Sequence, residues 1–166
     1  MSSFNHESFV KHDDYMTPKD AWLAIEDFLP KDKVIWEAFY GDGKSGEYLR
    51  ELGCENVIHT NIDFYNVTPE YDVLISNPPF SDCKKIMYRL KELDKPFILI
   101  MPCSKMTTQY LRDNFINSDL QIIIPKRRIQ FIKLKDGEHH KQGACNFDCF
   151  YYCYKMNLEK DITWLL

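Results

Sequence analysis

The sequence predicts a doubly wound α/β fold, in which a mostly parallel sheet carries helices on both faces. Apolar segments of strand length alternate with segments of helical periodicity over most of the 166 residues, and this alternation is typical of such folds. A glycine-rich turn, "GDGKSG", directly follows the first apolar segment. No helical period separates the last two long apolar segments, 128–134 and 147–155, which predicts an antiparallel C-terminal hairpin.

The predicted elements follow one another in a regular order. A first helix begins at Thr17 and Pro18, which suit an N-cap and a first helical position. Further helices are predicted at 46–52, 83–93 and 107–115. Strands are predicted at 33–40, 56–62, 71–77, 96–102, 120–125, 128–134 and 147–155. The last of these segments is apolar on both faces, which predicts a central strand.

Length, charge and cysteine content narrow the classes of protein to which the chain can belong. Residues 13–166 are expected to form one domain with a real hydrophobic core, after a flexible start at residues 1–12. The formal net charge of −4 excludes a general polyanion binder, so contact with nucleic acid must depend on a local patch. No apolar run reaches the ~20 residues of a membrane span, and the N-terminus has no signal-peptide core. The six cysteines are therefore expected to be free thiols of an intracellular protein.

The glycine turn in "AFYGDGKS" permits two ligand interpretations and one purely structural one. Lys44 and Ser45 fit a loose form of the phosphate-binding loop G-x-x-x-x-G-K-[ST], although no later strand ends in the aspartate that would hold Mg²⁺. Alternatively, Gly41 and Gly43 let the backbone approach a nucleoside cofactor, with Glu37 at the strand end as an acceptor. The turn could also need its glycines only to join a strand to a helix.

The motif "NPPF" decides between these interpretations. Asn77 ends a buried apolar strand, and Pro78 and Pro79 stiffen the turn that follows. In a doubly wound sheet, ligands bind at the carboxyl ends of the strands. The glycine turn, the residues from Asn61 to Asp63 and this motif all follow predicted strands, so three unusual features converge on one edge.

"EAFYGDGKSG", followed by "NPPF" at the end of a later strand, resembles the class I S-adenosylmethionine-dependent methyltransferases that modify exocyclic amines. The closest resemblance is to the N6-adenine methyltransferases of bacteria, phages and other viruses, whose signature is [DNS]-P-P-[YFW]. It covers residues 13–134, includes "YMTP" ahead of the first strand, and implies a Rossmann-like class I methyltransferase fold. Such motifs also occur in enzymes that act on guanine N2, on RNA adenine and on a protein glutamine, so the motif specifies the chemistry more than the substrate.

The resemblance implies a set of residues that would bind S-adenosylmethionine. These are Tyr15, Thr17, Glu37, Phe39, Gly41, Gly43, Asn61 and Asp63. Thr17 would contact the amino-acid end of the cofactor, and residues 37–43 would line the pocket for its methionine part. Asn61 or Asp63 would hold the ribose hydroxyls, with Asp63 favoured because a carboxylate accepts from two hydroxyls better than an amide does; Asp63 and Phe64 could instead hold the adenine. The segment between the second and third strands is too short for a helical crossover, so one strand–helix unit is expected to be abbreviated.

The resemblance assigns the chemistry to Asn77, Pro78, Pro79 and Phe80. An exocyclic amine is a poor nucleophile because its lone pair is delocalised into the ring. Two fixed acceptors, the Asn77 side-chain oxygen and the Pro78 carbonyl, would draw the nitrogen toward tetrahedral geometry and free that lone pair. Phe80 would stack on a base that has left the duplex. No metal is expected, because positioning does much of the work of an in-line displacement on a sulfonium.

The basic segment "PKRRIQFIKLK" is a candidate substrate contact. Lys126, Arg127 and Arg128 could bind phosphates, with Phe131 among them. The alternative is a solvated strand edge, on which lysines discourage aggregation. His59, within a predicted strand, is expected to be a hydrogen-bonded core residue.

Together, these features predict an N6-adenine methyltransferase that acts on DNA, with the same reaction on RNA as the first alternative. No separate target-recognition domain is expected, so short loops or a partner protein would supply any sequence preference. Two further alternatives are a non-catalytic subunit with a methyltransferase fold and a P-loop nucleotide-binding protein.

Overall fold

The computed structural model of the chain describes residues 15–135, 138–141 and 147–166, so the start at residues 1–12 lies outside the described residues. The helices are α1 (Lys19–Leu23), α2 (Lys44–Glu51), α3 (Cys83–Leu93) and α4 (Gln109–Phe115). The strands are β1 (Tyr15–Met16), β2 (Val34–Trp36), β3 (Asn56–Ile58), β4 (Val73–Ser76), β5 (Phe97–Pro102), β6 (Leu120–Ile124), β7 (Ile132–Lys135), β8 (Glu138–Lys141), β9 (Cys149–Tyr154) and β10 (Ile162–Trp164). Short 3₁₀ turns occupy Glu26–Phe28, Phe80–Asp82 and Cys103–Thr107.

Seven strands form the main sheet, in the order β10-β6-β9-β5-β4-β2-β3. Neighbouring strands are parallel throughout, except that β9 runs antiparallel between β5 and β6. The predicted doubly wound, mostly parallel sheet is therefore confirmed, and so is the central position of β9.

The antiparallel pairing of the C-terminal part differs from the prediction in one respect. The sequence predicts a hairpin between segments 128–134 and 147–155, but β9 takes β5 and β6 as its partners. β7 instead pairs with β8 and with β1 in a separate three-stranded sheet. The reason is burial: β9 is apolar on both faces and fits the interior of the main sheet, whose two faces both carry helices, whereas the sequence of β7, "IKLK", alternates as in a strand with one apolar face.

Alternate residues of the central strands enter two hydrophobic clusters, one on each face of the sheet. On one face, Ile98 of β5 shares a cluster with residues of α1 and α2. On the other face, its neighbour Leu99 shares a cluster with residues of α3 and α4. Full burial of one such side chain contributes about 1.5–3 kcal/mol, so the sheet requires helices on both faces, as predicted. None of the helices in the described residues is long and apolar enough to cross a membrane.

The connection from β3 to β4 lies beside a crevice at the carboxyl ends of the strands. Residues 59–72 contain neither a helix nor a strand, which agrees with the expected abbreviated unit. β3 lies on one side of β2 and β4 on the other, so the order of the strands reverses here. At such a switch point the loops after the two strands diverge, and a ligand crevice opens beyond their carboxyl ends.

Candidate active site

A cavity of about 350 Å³ opens at this switch point. Its walls come from the segment before α1, from the turn after β2, from the β3–β4 connection and from the turn after β4. Of the predicted cofactor and catalytic residues, those that line it are Tyr15, Thr17, Glu37, Phe39, Gly41, Asn61, Asn77, Pro78, Pro79 and Phe80. Gly43 and Asp63 do not line it. The cavity thus brings together residues that are far apart in the sequence.

Glu37 is the buried acid of this cavity, with 2% of its surface exposed. Its Oε1 accepts a hydrogen bond from the N–H of Phe39 at 3.2 Å and another from the hydroxyl of Ser76. Its Oε2 lies 3.0 Å from Nε2 of His59, the one ion-pair partner recorded within 4.0 Å among the described residues. A buried carboxylate that lacks a Lys or Arg partner is costly, so a positively charged part of a ligand would be stabilised here.

Two residues that hold Glu37, Ser76 and His59, were not predicted as part of the site. The His59 side chain is 2% exposed and hydrogen-bonded, which confirms the expectation of a satisfied core histidine. Ser76 is the one hydroxyl in the otherwise apolar and buried strand β4. A buried hydroxyl needs a partner, so its place at the end of "VLIS" was the signal that could have identified it.

Two polar atoms on the cavity wall are buried and have no hydrogen-bond partner in the part of the chain that the structure describes: Oδ1 of Asn77 and Oγ1 of Thr17. The Nδ2 of Asn77 donates to the carbonyl of Tyr15 at 3.5 Å, the outer limit for such a bond. Because a carbonyl can only accept, the amide nitrogen faces Tyr15 and Oδ1 is left as the free acceptor. Buried polar atoms nearly always have partners in folded proteins, so both atoms are suited to a ligand.

The segment 15–17 lies against the cavity because β1 pairs with β7, with Tyr15 opposite Lys133 and Met16 opposite Ile132. The predicted N-cap role of Thr17 is wrong. Pro18 is the residue before α1, and no side chain of the described residues caps that helix. Since its hydroxyl is not used by the helix, Thr17 keeps it available at the cavity.

The turn after β4 is stiff, as its two prolines predict. Pro79 has extended backbone angles, φ −62° and ψ 129°, and leads into the 3₁₀ turn that precedes α3. Phe80 lines the cavity but is only 9% exposed. Its ring packs edge-to-face on Phe147, with ring centroids 5.4 Å apart. The prolines therefore restrict the backbone that follows Asn77, and Phe147 restricts the ring of Phe80.

The two glycines of the turn after β2 are both held in a backbone conformation that favours glycine. Both have positive φ, +58° at Gly41 and +81° at Gly43. A Cβ on Gly41 would lie 3.0 Å from Sδ of Met16, which also lines the cavity. Gly43 lies just before α2 and donates its N–H to the carbonyl of Tyr40 at 2.9 Å. A Cβ on Gly43 would lie 3.0 Å from the hydroxyl of Tyr40, another cavity residue, so positive φ and close contact favour glycine at both positions.

Asn61, and not Asp63, belongs to the cavity wall. The Asp63 carboxylate closes a local turn, in which Oδ1 accepts from the N–H of Tyr65 at 2.9 Å and Oδ2 accepts from the Asn66 amide. These hydrogen bonds, that from Tyr65 first, hold the pKa of the Asp63 carboxyl below its ordinary value. Of the two predicted ribose ligands, Asn61 is the one placed to reach a ligand.

The basic segment 125–132 lines a second cavity of about 540 Å³, together with residues of α1. Lys126 and Arg127 are exposed. Arg128 binds Asp148 through two hydrogen bonds of 2.9 and 3.0 Å, and this pairing lowers the pKa of the Asp148 carboxyl. The charge of Arg128 is therefore largely compensated, whereas Lys126 and Arg127 have no ion pair with any residue that the structure describes.

Phe131 is almost fully buried, so its role as a substrate contact stays a prediction that this burial does not favour. Its ring is 1% exposed and stacks on Phe147, with ring centroids 5.7 Å apart. The strand predicted at 128–134 begins only at Ile132, so the basic residues before it lie on an irregular segment. The hydrophobic effect accounts for the burial of this ring among charged neighbours in the sequence.

Among the described residues, no group of three or more His, Cys, Asp or Glu side chains is arranged to hold a metal ion.

Comparison with known proteins identifies the fold. No protein-family model and no curated protein matches the chain. Among solved structures, it is similar to an S-adenosylmethionine-dependent O-methyltransferase from Thermotoga maritima, with a TM-score of 0.51 and 14% identity over 96% of this chain and 74% of that chain. It is also similar to protein 1320 of Thermoplasma acidophilum, with a TM-score of 0.52 and 14% identity over 95% of this chain and 100% of that chain. Together with the observed sheet order and the cavity at its switch point, this likeness means that the chain has the class I methyltransferase fold.

Proposed function

We propose that this chain transfers a methyl group from S-adenosylmethionine to the exocyclic N6 of adenine in DNA. The observation that carries the proposal is Oδ1 of Asn77, a buried acceptor on the cavity wall that has no partner among the described residues. A primary amine brings two N–H donors, one for this atom and one for the Pro78 carbonyl, whereas a hydroxyl brings one donor and an ionised phosphate brings none. The "NPPF" motif that supplies Asn77 resembles the signature of the N6-adenine enzymes.

The residues of the cavity fit S-adenosylmethionine. When bound, this cofactor supplies a methyl group on a positively charged sulfur. The uncompensated carboxylate of Glu37 suits its cationic part, and the free hydroxyl of Thr17 suits its amino-acid end. Phe39 and Ile62 provide apolar wall, and Asn61 is the residue we propose for the ribose hydroxyls.

The chain's own residues would promote transfer by orienting the amine. Asn77 Oδ1 and the Pro78 carbonyl would each accept one N–H, so that the nitrogen directs its lone pair toward the methyl group. The stiff turn holds both acceptors before the substrate arrives, which avoids reorganisation during the reaction. Phe80, fixed by Phe147, would offer one ring face to the flipped base. No strong base is required before transfer, because the nitrogen becomes acidic once it is alkylated.

The alternative of a P-loop nucleotide-binding protein has less support. Lys44 does not line the cavity, and its Nζ lies 3.5 Å from the exposed Glu47. The buried carboxylate of Glu37 would also repel a phosphate. The same reaction on RNA remains the alternative that shares every feature of the cavity. We further propose that residues 13–166 act as one catalytic domain, whose target preference depends on short loops or on a partner protein.

The test is an incubation of the purified protein with methyl-labelled S-adenosylmethionine and a mixture of DNA and RNA, followed by nucleoside mass spectrometry. Labelled N6-methyldeoxyadenosine would support the proposal, and label in adenosine alone would move the substrate to RNA. Cofactor binding without any labelled nucleoside would favour a non-catalytic subunit or a missing partner. Absence of cofactor binding would refute the methyltransferase function.

The two uncompensated cations of the basic segment should contribute to nucleic-acid affinity through phosphate contacts. We expect the double substitution Lys126→Ala/Arg127→Ala to weaken binding at low salt. Because each phosphate contact releases counterions on binding, the loss of two contacts should reduce the magnitude of the slope of log K against log salt by about 1.8 for duplex DNA and about 1.4 for a single strand. Fluorescence anisotropy with a labelled oligonucleotide over a salt series would measure both quantities.

A matched control removes the same charge from the opposite edge of the sheet. Lys33 and Lys160 are both exposed and precede the parallel strands β2 and β10, so they lie at the amino ends of the strands. The double substitution Lys33→Ala/Lys160→Ala should leave the slope unchanged. Equal losses of nucleic-acid affinity in both double variants would mean that affinity depends only on net charge. That result would contradict a phosphate-binding role for the basic segment.

A further inference from the structure

His59 links three parts of the cavity wall, although it does not line the cavity. It follows directly after β3, and its side chain is 2% exposed. Its Nδ1 lies 3.1 Å from the backbone N–H of Gly46 in α2. Its Nε2 lies 3.0 Å from Oε2 of Glu37 and 3.1 Å from the carbonyl of Tyr40 in the glycine turn. One ring therefore connects the end of β2, the glycine turn and the first turn of α2.

The partners of the ring determine which of its nitrogens carries the proton. The backbone N–H of Gly46 can only donate, so Nδ1 must be an unprotonated acceptor. Glu37 Oε2 and the Tyr40 carbonyl can only accept when the carboxylate is ionised, so Nε2 must carry the hydrogen. His59 is thus fixed as the neutral Nε2–H tautomer, and its N–H is directed at Glu37.

Position 46 requires glycine because a side chain there would collide with this ring. A Cβ added to Gly46 would collide with Nδ1, Cγ and Cβ of His59. The ring is buried and hydrogen-bonded on both edges, so it cannot swing aside as a surface side chain would. Alanine would be the better helix former in α2 by intrinsic propensity. The contact with His59 therefore outweighs the helix propensity that would favour alanine at position 46.

We infer that His59 is a positioning residue for the cofactor site, which fixes the Glu37 carboxylate through its neutral Nε2–H and takes its own orientation from the Gly46 amide. The inference rests on the proposed use of this cavity for S-adenosylmethionine. Of the three donors to Glu37, the hydroxyl of Ser76 and the N–H of Phe39 both bind Oε1. Among the described residues, His59 alone holds Oε2, and so it determines how the carboxylate is rotated toward the cavity.

The tautomer can be measured without any cofactor. Protein labelled with ¹⁵N histidine would be examined by NMR at neutral pH, and the His59 resonances would be identified by their loss in His59→Gln. We expect the pattern of an unprotonated Nδ1 and a protonated Nε2. A protonated Nδ1, in either the neutral or the charged ring, would overturn the inference whether or not the protein binds S-adenosylmethionine.

Two substitutions at His59 separate its two hydrogen bonds. His59→Gln can place an amide N–H where Nε2 lies and keep the donor to Glu37. His59→Asn can place its carbonyl where Nδ1 lies, so it keeps the acceptor for Gly46 and loses the donor to Glu37. We expect the asparagine variant to bind S-adenosylmethionine about ten- to a hundredfold more weakly than wild type, and the glutamine variant to stay within about threefold.

Calorimetric titration with S-adenosylmethionine, together with the thermal midpoint of each cofactor-free variant, distinguishes positioning from stability. Equal affinities in the two variants, or losses that simply follow their thermal midpoints, would contradict the positioning role. Failure of the wild-type protein to bind S-adenosylmethionine would instead refute the proposed function, and the NMR result would still decide the link between His59 and Glu37.

The substitution Gly46→Ala tests the link from the opposite side of the ring. We expect it to weaken the binding of S-adenosylmethionine about tenfold or more, because the displaced ring loses its bond to Glu37. The control is Glu47→Ala, which changes the neighbouring exposed residue of the same helix and should leave the affinity within about twofold. An affinity in Gly46→Ala equal to that of Glu47→Ala would overturn the proposed link.

Discussion

Replacing Asn77 with alanine is expected to lower kcat for methyl transfer by about 10²–10³, the usual cost of removing one preorganised polar group from an active site. The affinity for S-adenosylmethionine should stay within about threefold, because we assign Oδ1 to the amine and not to the cofactor. The reason is geometric: Oδ1 is buried, lacks a partner and is carried by a turn that two prolines stiffen. Initial rates with labelled cofactor, together with calorimetric affinities, would measure the two effects separately.

The stability of the Asn77 variant should not follow its activity. Because Oδ1 has no partner among residues 15–135, 138–141 and 147–166, its removal takes away an acceptor that is unsatisfied there, together with the long bond from Nδ2 to the Tyr15 carbonyl. We therefore expect the free energy of unfolding to change by less than about 1 kcal/mol, or to rise. Chemical denaturation would measure it. A loss of several kcal/mol would mean that Asn77 has a structural role instead.

Asn77→Asp is the matched control, because aspartate keeps an acceptor at this position and fits the signature [DNS]-P-P-[YFW]. It should retain part of the activity that Asn77→Ala loses. An aspartate variant as inactive as the alanine variant, or an alanine variant with unchanged kcat, would contradict the role of Oδ1 as an acceptor for the amine.

The sequence was sufficient to predict most of the fold, because strand and helix signals are local. The alternation of apolar strands and amphipathic helices required a doubly wound sheet, and α3 was predicted with its observed bounds. The partners of β9 were not predictable in the same way. Its burial on both faces could be read from the sequence, but which strands lie beside it depends on the packing of the whole chain. The short strands β8 and β10 carry too few residues for a periodic signal.

Candidate site residues that belong to a backbone motif could be predicted from the sequence. Contacts between side chains that are distant in the sequence could not. The strand ends and the "NPPF" turn placed Glu37 and Asn77 on one edge, because parallel strands deliver their carboxyl ends together. Asp63 was favoured by chemistry alone, yet its carboxylate closes a local turn. His59 lies 22 positions after Glu37 in the sequence. The pairing of β2 with β3 brings their side chains together.

Replacing Glu37 with glutamine is expected to weaken the binding of S-adenosylmethionine by about two to three orders of magnitude. The carboxylate is 2% exposed, and among the described residues its ion-pair partner is the neutral ring of His59. Its negative charge is therefore left for the ligand, and the loss of one partner of a buried charge pair costs about 2–5 kcal/mol. Calorimetric titration of the wild-type and variant proteins would measure the difference.

Glutamine also disturbs the hydrogen bonds around position 37, so the loss of charge needs a control of its own. Phe39, Ser76 and His59 all donate to the carboxylate, and an amide NH₂ would oppose one of these donors. The neutral fragment 5′-methylthioadenosine, which has neither the sulfonium nor the amino-acid group, separates the two effects. If the charge matters, Glu37→Gln binds this fragment as wild type does and loses affinity only for S-adenosylmethionine. If the substitution merely distorts the cavity wall, the affinities for both ligands fall by the same factor. The cavity would then have no electrostatic preference for a cationic cofactor.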